Sequence, residues 1–100
     1  NTIGPYLVTA DELDVGHLRM TARVNGEIWT DSTSGGRQFS FEDLIVHVSQ
    51  SETIYPGELW GSGTSGGGSG RELDRWLKPG DVVEFEIEGI GILRNRIERR

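Results

Sequence analysis

Three groups of residues have types and spacings that could do chemistry. The first is a glycine-rich run from Gly61 to Gly70, with glycine at 61, 63, 66, 67, 68 and 70 and a single threonine, Thr64, after Gly63. Glycines around one hydroxyl let a backbone approach a small anion closely. The threonine can then donate to a carboxylate oxygen beside backbone N–H groups. The same composition suits a flexible linker, so residue types alone leave a binding loop and a linker balanced. Two nucleotide-binding readings are excluded: the run lacks Gly-Lys-Ser/Thr, and no strand–GxGxxG–helix unit surrounds it.

The second group is Glu84-x-Glu86-x-Glu88. Strand alternation would place the three carboxylates on one face, roughly 7 Å between successive members. Hard cations such as Mg²⁺ favour oxygen ligands of this kind. Val83, Phe85 and Ile87 occupy the opposite face, however, so a solvated strand face over an apolar core is the better reading. The third group is the two histidines. His17 lies in a loop entering a strand, and His47 falls on the exposed side of a helix. Nothing in their spacing supplies the orienting carboxylate that a catalytic dyad needs. The chain has neither a G-x-S-x-G elbow nor H-E-x-x-H.

The elements that must position these residues are mostly strands. Leu18 to Val24 alternates, with Leu18, Met20, Ala22 and Val24 on one side and Arg19, Thr21 and Arg23 on the other. Asn25-Gly26 follows, a dipeptide whose tolerance of positive φ suits a tight hairpin turn. Glu27 to Thr33, carrying Ile28 and Trp29, is the returning strand. Ser34 to Arg37 reads as a loop. Ser40 with Asp43 three positions on has the form of a capping box, and Phe41, Leu44, Ile45 and Val48 fall at helical spacing, which predicts a helix over Phe41–Ser49 packed on the sheet.

Around these, Thr9 or Asp11 can cap one helical turn near Leu13. Leu59-Trp60 reads as the start of a short strand, and Arg71 to Leu77 as one or two helical turns. Lys78-Pro79-Gly80-Asp81 is a turn. Val82 to Glu88 and Ile92 to Ile97 form a second strand pair around Gly89-Ile90-Gly91. The expected fold is mainly β (α+β), a single antiparallel unit with one short helix.

Composition narrows the function class. The chain has 100 residues, 34% apolar side chains and 15 glycines, within the range of globular proteins. Its net charge of −6 argues against nucleic acid as a partner. The basic cluster Arg94, Arg96, Arg99 and Arg100 reads as a solvated tail or strand face. Without cysteine there is no disulfide framework and no thiolate nucleophile. No run reaches the ~20 apolar residues a membrane helix needs, so no membrane partner and a cytoplasmic location are expected. Ile3 to Val8 already reads like mid-domain sequence, which suggests further sequence before Asn1.

Several segments together resemble the fumarylacetoacetate hydrolase family. Leu77-Lys78-Pro79-Gly80-Asp81-Val82-Val83, continuing through Glu86-Ile87-Glu88-Gly89-Ile90-Gly91 to Leu93-Arg94-Asn95-Arg96, is similar to the family's C-terminal signature. Gly4-Pro5-Tyr6-Leu7-Val8-Thr9-Ala10-Asp11-Glu12-Leu13 matches its "GP-x-LVT-x-DE" segment. Leu18-Arg19 to Glu27 matches its central hairpin, Phe39-Ser40 with Leu44-Ile45 its short helix, and Gly63-Thr64 its substrate loop. The matches run nearly the length of the chain, in order.

The resemblance implies that residues 1–100 are the C-terminal portion of one catalytic domain, a partial mixed β-sandwich roll, in a homodimer. It implies an enzyme using Mg²⁺ or Mn²⁺, or Ca²⁺, on 2-oxo acids and 1,3-dicarbonyl compounds, by C–C bond hydrolysis, decarboxylation or isomerisation. The metal would chelate the oxo-acid oxygens as a Lewis acid. On the same basis Thr64 binds the carboxylate or oxo group of a small-molecule substrate, Gly61 and Gly63 shape its loop, and Glu72 matches a glutamate that orients a catalytic histidine. The family's metal-binding carboxylates, its catalytic His/Glu and a substrate lysine lie upstream of the GP-x-LVT segment, so none is matched here. Metal ligands are expected before Asn1 and none within the chain. A non-catalytic fragment or dimerisation module lacking the metal site is the alternative.

Overall fold

A computed structural model describes residues 2–99; Asn1 and Arg100, the last member of the basic cluster, lie outside the described residues. The chain begins with a hairpin. Strands β1 (Arg19–Val24) and β2 (Glu27–Thr33) pair antiparallel, and Asn25 and Gly26 turn between them at φ of 51° and 85°. Both angles are positive, as the sequence predicts for a turn whose twist matches that of the strands. Strands β3 (Val82–Ile87) and β4 (Gly91–Arg96) form a second hairpin. β1 also pairs with β3, giving one antiparallel sheet in the order β2-β1-β3-β4.

The register shows what each face carries. Met20 lies opposite Ile87, Ala22 opposite Phe85 and Val24 opposite Val83, so the apolar alternation of β1 and β3 falls on one face. Val24 and Val83, the pair at the end of this face nearest the β1–β2 turn, are the buried apolar residues among the described ones. On the other face Glu88 is exposed as expected, but Glu84 and Glu86 are paired and only partly solvated. Arg23 reaches Glu86 at 2.6 Å, Arg94 Nε donates to Glu84 at 2.7 Å, and Arg19 forks onto Asp31. Thr21, expected outside, is buried among these pairs, and the side chain of Glu84 is only 14% exposed. Phe85, expected inside, is 49% exposed. Alternation identifies two faces; it does not say which one something else covers.

The helix α1 spans Phe41–Ser49 as the sequence predicts, and the capping box is closed from both sides. The Asp43 amide donates to Ser40 Oγ at 3.0 Å, and the Ser40 amide donates to Asp43 Oδ2 at 2.8 Å. The helix does not pack on the sheet, however. None of its residues is buried and it contacts none of the four strands. Phe41, Leu44 and Val48 form a half-buried stripe while Ile45 stays half exposed.

Of three smaller expectations, one changes and two hold. Leu59-Trp60 is unpaired chain and not a strand. Arg71 to Leu77 contains a single turn, held by Leu73 N to Ser69 O at 3.3 Å and Arg75 N to Gly70 O at 2.8 Å. Asp74 ends that turn at a φ of 52°, which no helix continues. Near Thr9 the expected single turn is present, with the Glu12 amide donating to the Thr9 carbonyl at 3.1 Å.

The exposed surface, 8226 Å², is far above the roughly 5,700 Å² expected of a folded monomer of 11.1 kDa. The radius of gyration, 15.3 Å, likewise exceeds the ~13 Å of a closed domain of this length. Apolar surface is therefore left exposed among the described residues, including Phe85 on the sheet and Ile45 and Val46 on the helix.

Candidate functional site

The glycine run lies against the apolar face of the sheet, and strand β2 holds it there. Between Ala22 and Arg23 the β1–β2 register slips: Ala22 faces Thr30 and Arg23 faces Ile28, so Trp29 is the extra residue of a β-bulge. A bulge re-aims the side chain it carries. The Trp29 ring sits beside Gly70, where an added Cβ would meet it at 3.6 Å and would meet the Arg75 carbonyl oxygen at 2.5 Å. No side chain fits there, which explains glycine at 70. The Arg75 guanidinium lies 5.4 Å over the Trp29 ring and pairs with Glu27 at 2.7 Å. Thr30 then donates its hydroxyl to the Gly67 carbonyl at 3.1 Å.

Glu72 closes the loop from within. Its carboxylate accepts from the Ser69 amide at 3.0 Å, the Ser69 hydroxyl at 2.9 Å and the Gly67 amide at 3.3 Å. These donors, the Ser69 amide foremost, lower its pKa below the ordinary carboxylate value. The Gly68 amide donates to the Ser65 carbonyl at 3.2 Å, which makes the tip a hydrogen-bonded turn. A linker would have no such ties. Gly63 takes a φ of 92°, a conformation side chains disfavour, immediately before Thr64.

Held this way, Thr64 and Ser65 stand between two hollows. One, of about 350 Å³, is bounded by Ser62 to Gly66 on one side and by Met20, Ser32, the Gly35-Gly36-Arg37 loop and Phe41 on the other. The second, of about 230 Å³, lies over Met20, Ala22, Phe85 and Ile87 and is largely apolar. Thr64 and Gly63 thus line a hollow, as the sequence suggests. Gly61 is not among the residues bounding either hollow, and an added Cβ there would meet nothing within 4 Å.

Arg37 escaped the sequence reading. It is the one charged side chain bounding the larger hollow. Its guanidinium stacks 4.0 Å over the Phe41 ring and donates to the Val15 carbonyl at 3.1 Å. The available signal was a basic residue directly after two glycines and four residues before an aromatic helix start.

The histidines stay apart from this site. His17 does have a carboxylate partner, Asp14 Oδ2 at 3.1 Å, contrary to the expectation from spacing. Both side chains are more than three-quarters exposed, so the pair has no dry environment in which to act. Among the described residues no group of three His, Cys, Asp or Glu is arranged to hold a metal ion. Glu84 and Glu86 are each committed to an arginine, so their carboxylates do not fit a metal centre. No helix of the described chain is long and apolar enough to cross a membrane.

Comparison with known proteins matches residues 1–98 to the family described as "Fumarylacetoacetate (FAA) hydrolase C-terminal". The chain is 43% identical over 97 residues to the mitochondrial oxaloacetate tautomerase Fahd2a of Rattus norvegicus, covering 95% of this chain and 31% of that protein. Among solved structures it is similar to the fumarylacetoacetate hydrolase of Exiguobacterium antarcticum, with 33% identity, a TM-score of 0.86 and coverage of 97% of this chain and 35% of that one. It is also similar to the 5-carboxymethyl-2-hydroxymuconate delta-isomerase of Mycobacterium smegmatis, with 30% identity, a TM-score of 0.80 and coverage of 97% and 36%. The four-stranded sheet and short helix thus match part of a larger fold. The chain spans about a third of the length of the relatives it matches.

Proposed function

The chain belongs to the fumarylacetoacetate hydrolase family, and from that membership we propose that residues 1–100 are the C-terminal portion of one catalytic domain in a metal-dependent enzyme acting on 2-oxo acid or 1,3-dicarbonyl substrates. The family is typically metal-dependent, and its members include tautomerases, hydrolases and isomerases. This chain supplies a substrate-binding wall, and a divalent cation, Mg²⁺ or Mn²⁺, is held by residues outside it. The functional unit is a homodimer.

The observation that carries this reading is the placement of Thr64. Its loop is tied down by Glu72 and Thr30 and stands at the edge of a hollow walled by hydroxyls, glycines, one arginine and the apolar Met20 and Phe41. Hydroxyl and amide donors with no acidic neighbour in the wall favour an anionic guest. The Thr64 hydroxyl donates to the substrate's carboxylate or oxo oxygen, and Gly63 permits the backbone bend that brings it there.

The test uses the full-length protein. Thr64→Val keeps the shape and removes the donor. It is expected to raise KM for a 2-oxo acid about tenfold, by loss of one hydrogen bond to a charged group, while Mg²⁺ affinity stays unchanged. Unchanged KM and kcat would remove Thr64 from the site. Full activity after exhaustive chelation would rule out the metal-dependent reading.

A further inference from the structure

We propose that Arg37 is a second anion-binding residue of the Thr64 hollow, and that the site therefore prefers a 2-oxo acid bearing a second carboxylate. The inference rests on the reading of Thr64 as a substrate-binding residue and extends it to the substrate's other end. Arg37 and Thr64 belong to separate segments that bound one hollow of about 350 Å³, a size suited to a small organic acid. No acidic side chain bounds that hollow. A dianion entering it meets hydroxyls and amides on the Thr64 side and a guanidinium on the other.

Arg37 is prepared for this role in three respects. Stacking on Phe41 and the bond to the Val15 carbonyl fix the plane of its guanidinium, so little side-chain freedom is lost when it binds. A guanidinium has five N–H donors, and the bond to Val15 occupies one. Arg19, Arg23, Arg75 and Arg94 each hold a carboxylate of the chain, whereas among the described residues Arg37 has none within 4 Å. Asp14 and Glu42 feel its charge from a distance but neither pairs with it, so its free N–H groups remain open to a guest. A monocarboxylic 2-oxo acid would satisfy Thr64 and leave this charge unanswered, and the difference is the source of discrimination.

The experiment compares two ligands of equal length in the full-length protein with Mg²⁺ present: oxaloacetate, and 2-oxobutyrate, which has a methyl group in place of the second carboxylate. Arg37→Gln is expected to weaken oxaloacetate binding about 10- to 100-fold, the loss of a charge-assisted pair, and to leave 2-oxobutyrate unchanged. Arg37→Lys, which keeps the charge, should recover part of the loss. If Arg37→Gln weakens both ligands equally, or neither, the proposal is overturned, since Arg37 then acts as a prop or not at all. Thr64→Val in the same titrations separates the two readings. It should weaken both ligands, and if it weakens neither, the underlying site assignment fails independently of Arg37. Thermal unfolding of each variant shows whether the fold is retained.

Discussion

Asn25 and Asp81, 56 residues apart in sequence, bind the turn of the first hairpin to the turn that opens β3. Asn25 Nδ2 donates to Asp81 Oδ1 at 2.9 Å, and its Oδ1 accepts from the Val82 amide at 2.9 Å. The other Asp81 oxygen accepts from the Lys78 amide at 2.7 Å. The same asparagine supplies the positive φ of its own turn, so one side chain sets both a local bend and a distant register.

Asn25→Asp tolerates that φ but turns a donor into a carboxylate facing Asp81. In the full-length protein it should lower Tm by about 3–6 °C at neutral pH, as expected for a lost hydrogen bond plus like-charge contact. The deficit should shrink below pH 4 as carboxylates are protonated. An unchanged Tm in a thermal melt would show that this tie contributes nothing.

The family resemblance implies that Glu72 orients a histidine, whereas in the structure its carboxylate faces the amides of its own loop. The two roles give different kinetics. If Glu72 acts as a clasp, Glu72→Gln raises KM several-fold with little change in kcat, because the loop is loosened and the chemistry is untouched. If it orients a catalytic base, kcat falls by orders of magnitude instead. Steady-state kinetics of the full-length variant decides between them. Rapid amide exchange at Ser69 in the variant would confirm the loosened loop.

The clasp also sets a pH dependence. The Glu72 pKa lies below its ordinary value because the Ser69 and Gly67 donors favour the charged form. The unfolded loop binds the proton more readily than the folded one. The clasp's contribution is therefore fully present above about pH 4.5 and is lost as pH falls through the depressed folded value. Ser69 amide protection, followed by hydrogen exchange, should hold from pH 7 to 5 and decline below that range. Loss of protection between pH 7 and 5 would contradict this.

The apolar side chains left exposed on the sheet and the helix predict the behaviour of the isolated 100 residues. With two buried apolar side chains among the described residues, the segment alone should bind a hydrophobic dye and unfold without a sharp transition, while keeping β-type far-UV dichroism. A cooperative calorimetric transition would show instead that the segment is self-sufficient.

The features legible in the sequence are those whose causes are local. Asn25-Gly26, the Ser40/Asp43 box and the alternation of β1 and β3 each act within a few residues, and all three are present in the fold. Non-local features escaped. Glu84 is covered by an arginine from a neighbouring strand while Phe85 stays half exposed, and neither outcome follows from alternation within β3. The bulge at Trp29 is a slip between two strands that neither sequence announces. Arg37 belongs to the candidate site only because Phe41 and Val15 hold it against a hollow formed by residues far along the chain.

The order β2-β1-β3-β4 leaves residues 34 to 81, which include the glycine run and the Arg37 loop, as one excursion that leaves β2 and returns to β3 on the far side of β1. Closing such an excursion costs entropy that grows only with the logarithm of its length, about 0.6 kcal/mol for each doubling. Residues can be gained or lost near the glycine run with little penalty to the strands that frame it. Inheritance can thus lengthen or shorten the substrate wall while the sheet keeps its register, so that a change of guest does not require a change of scaffold.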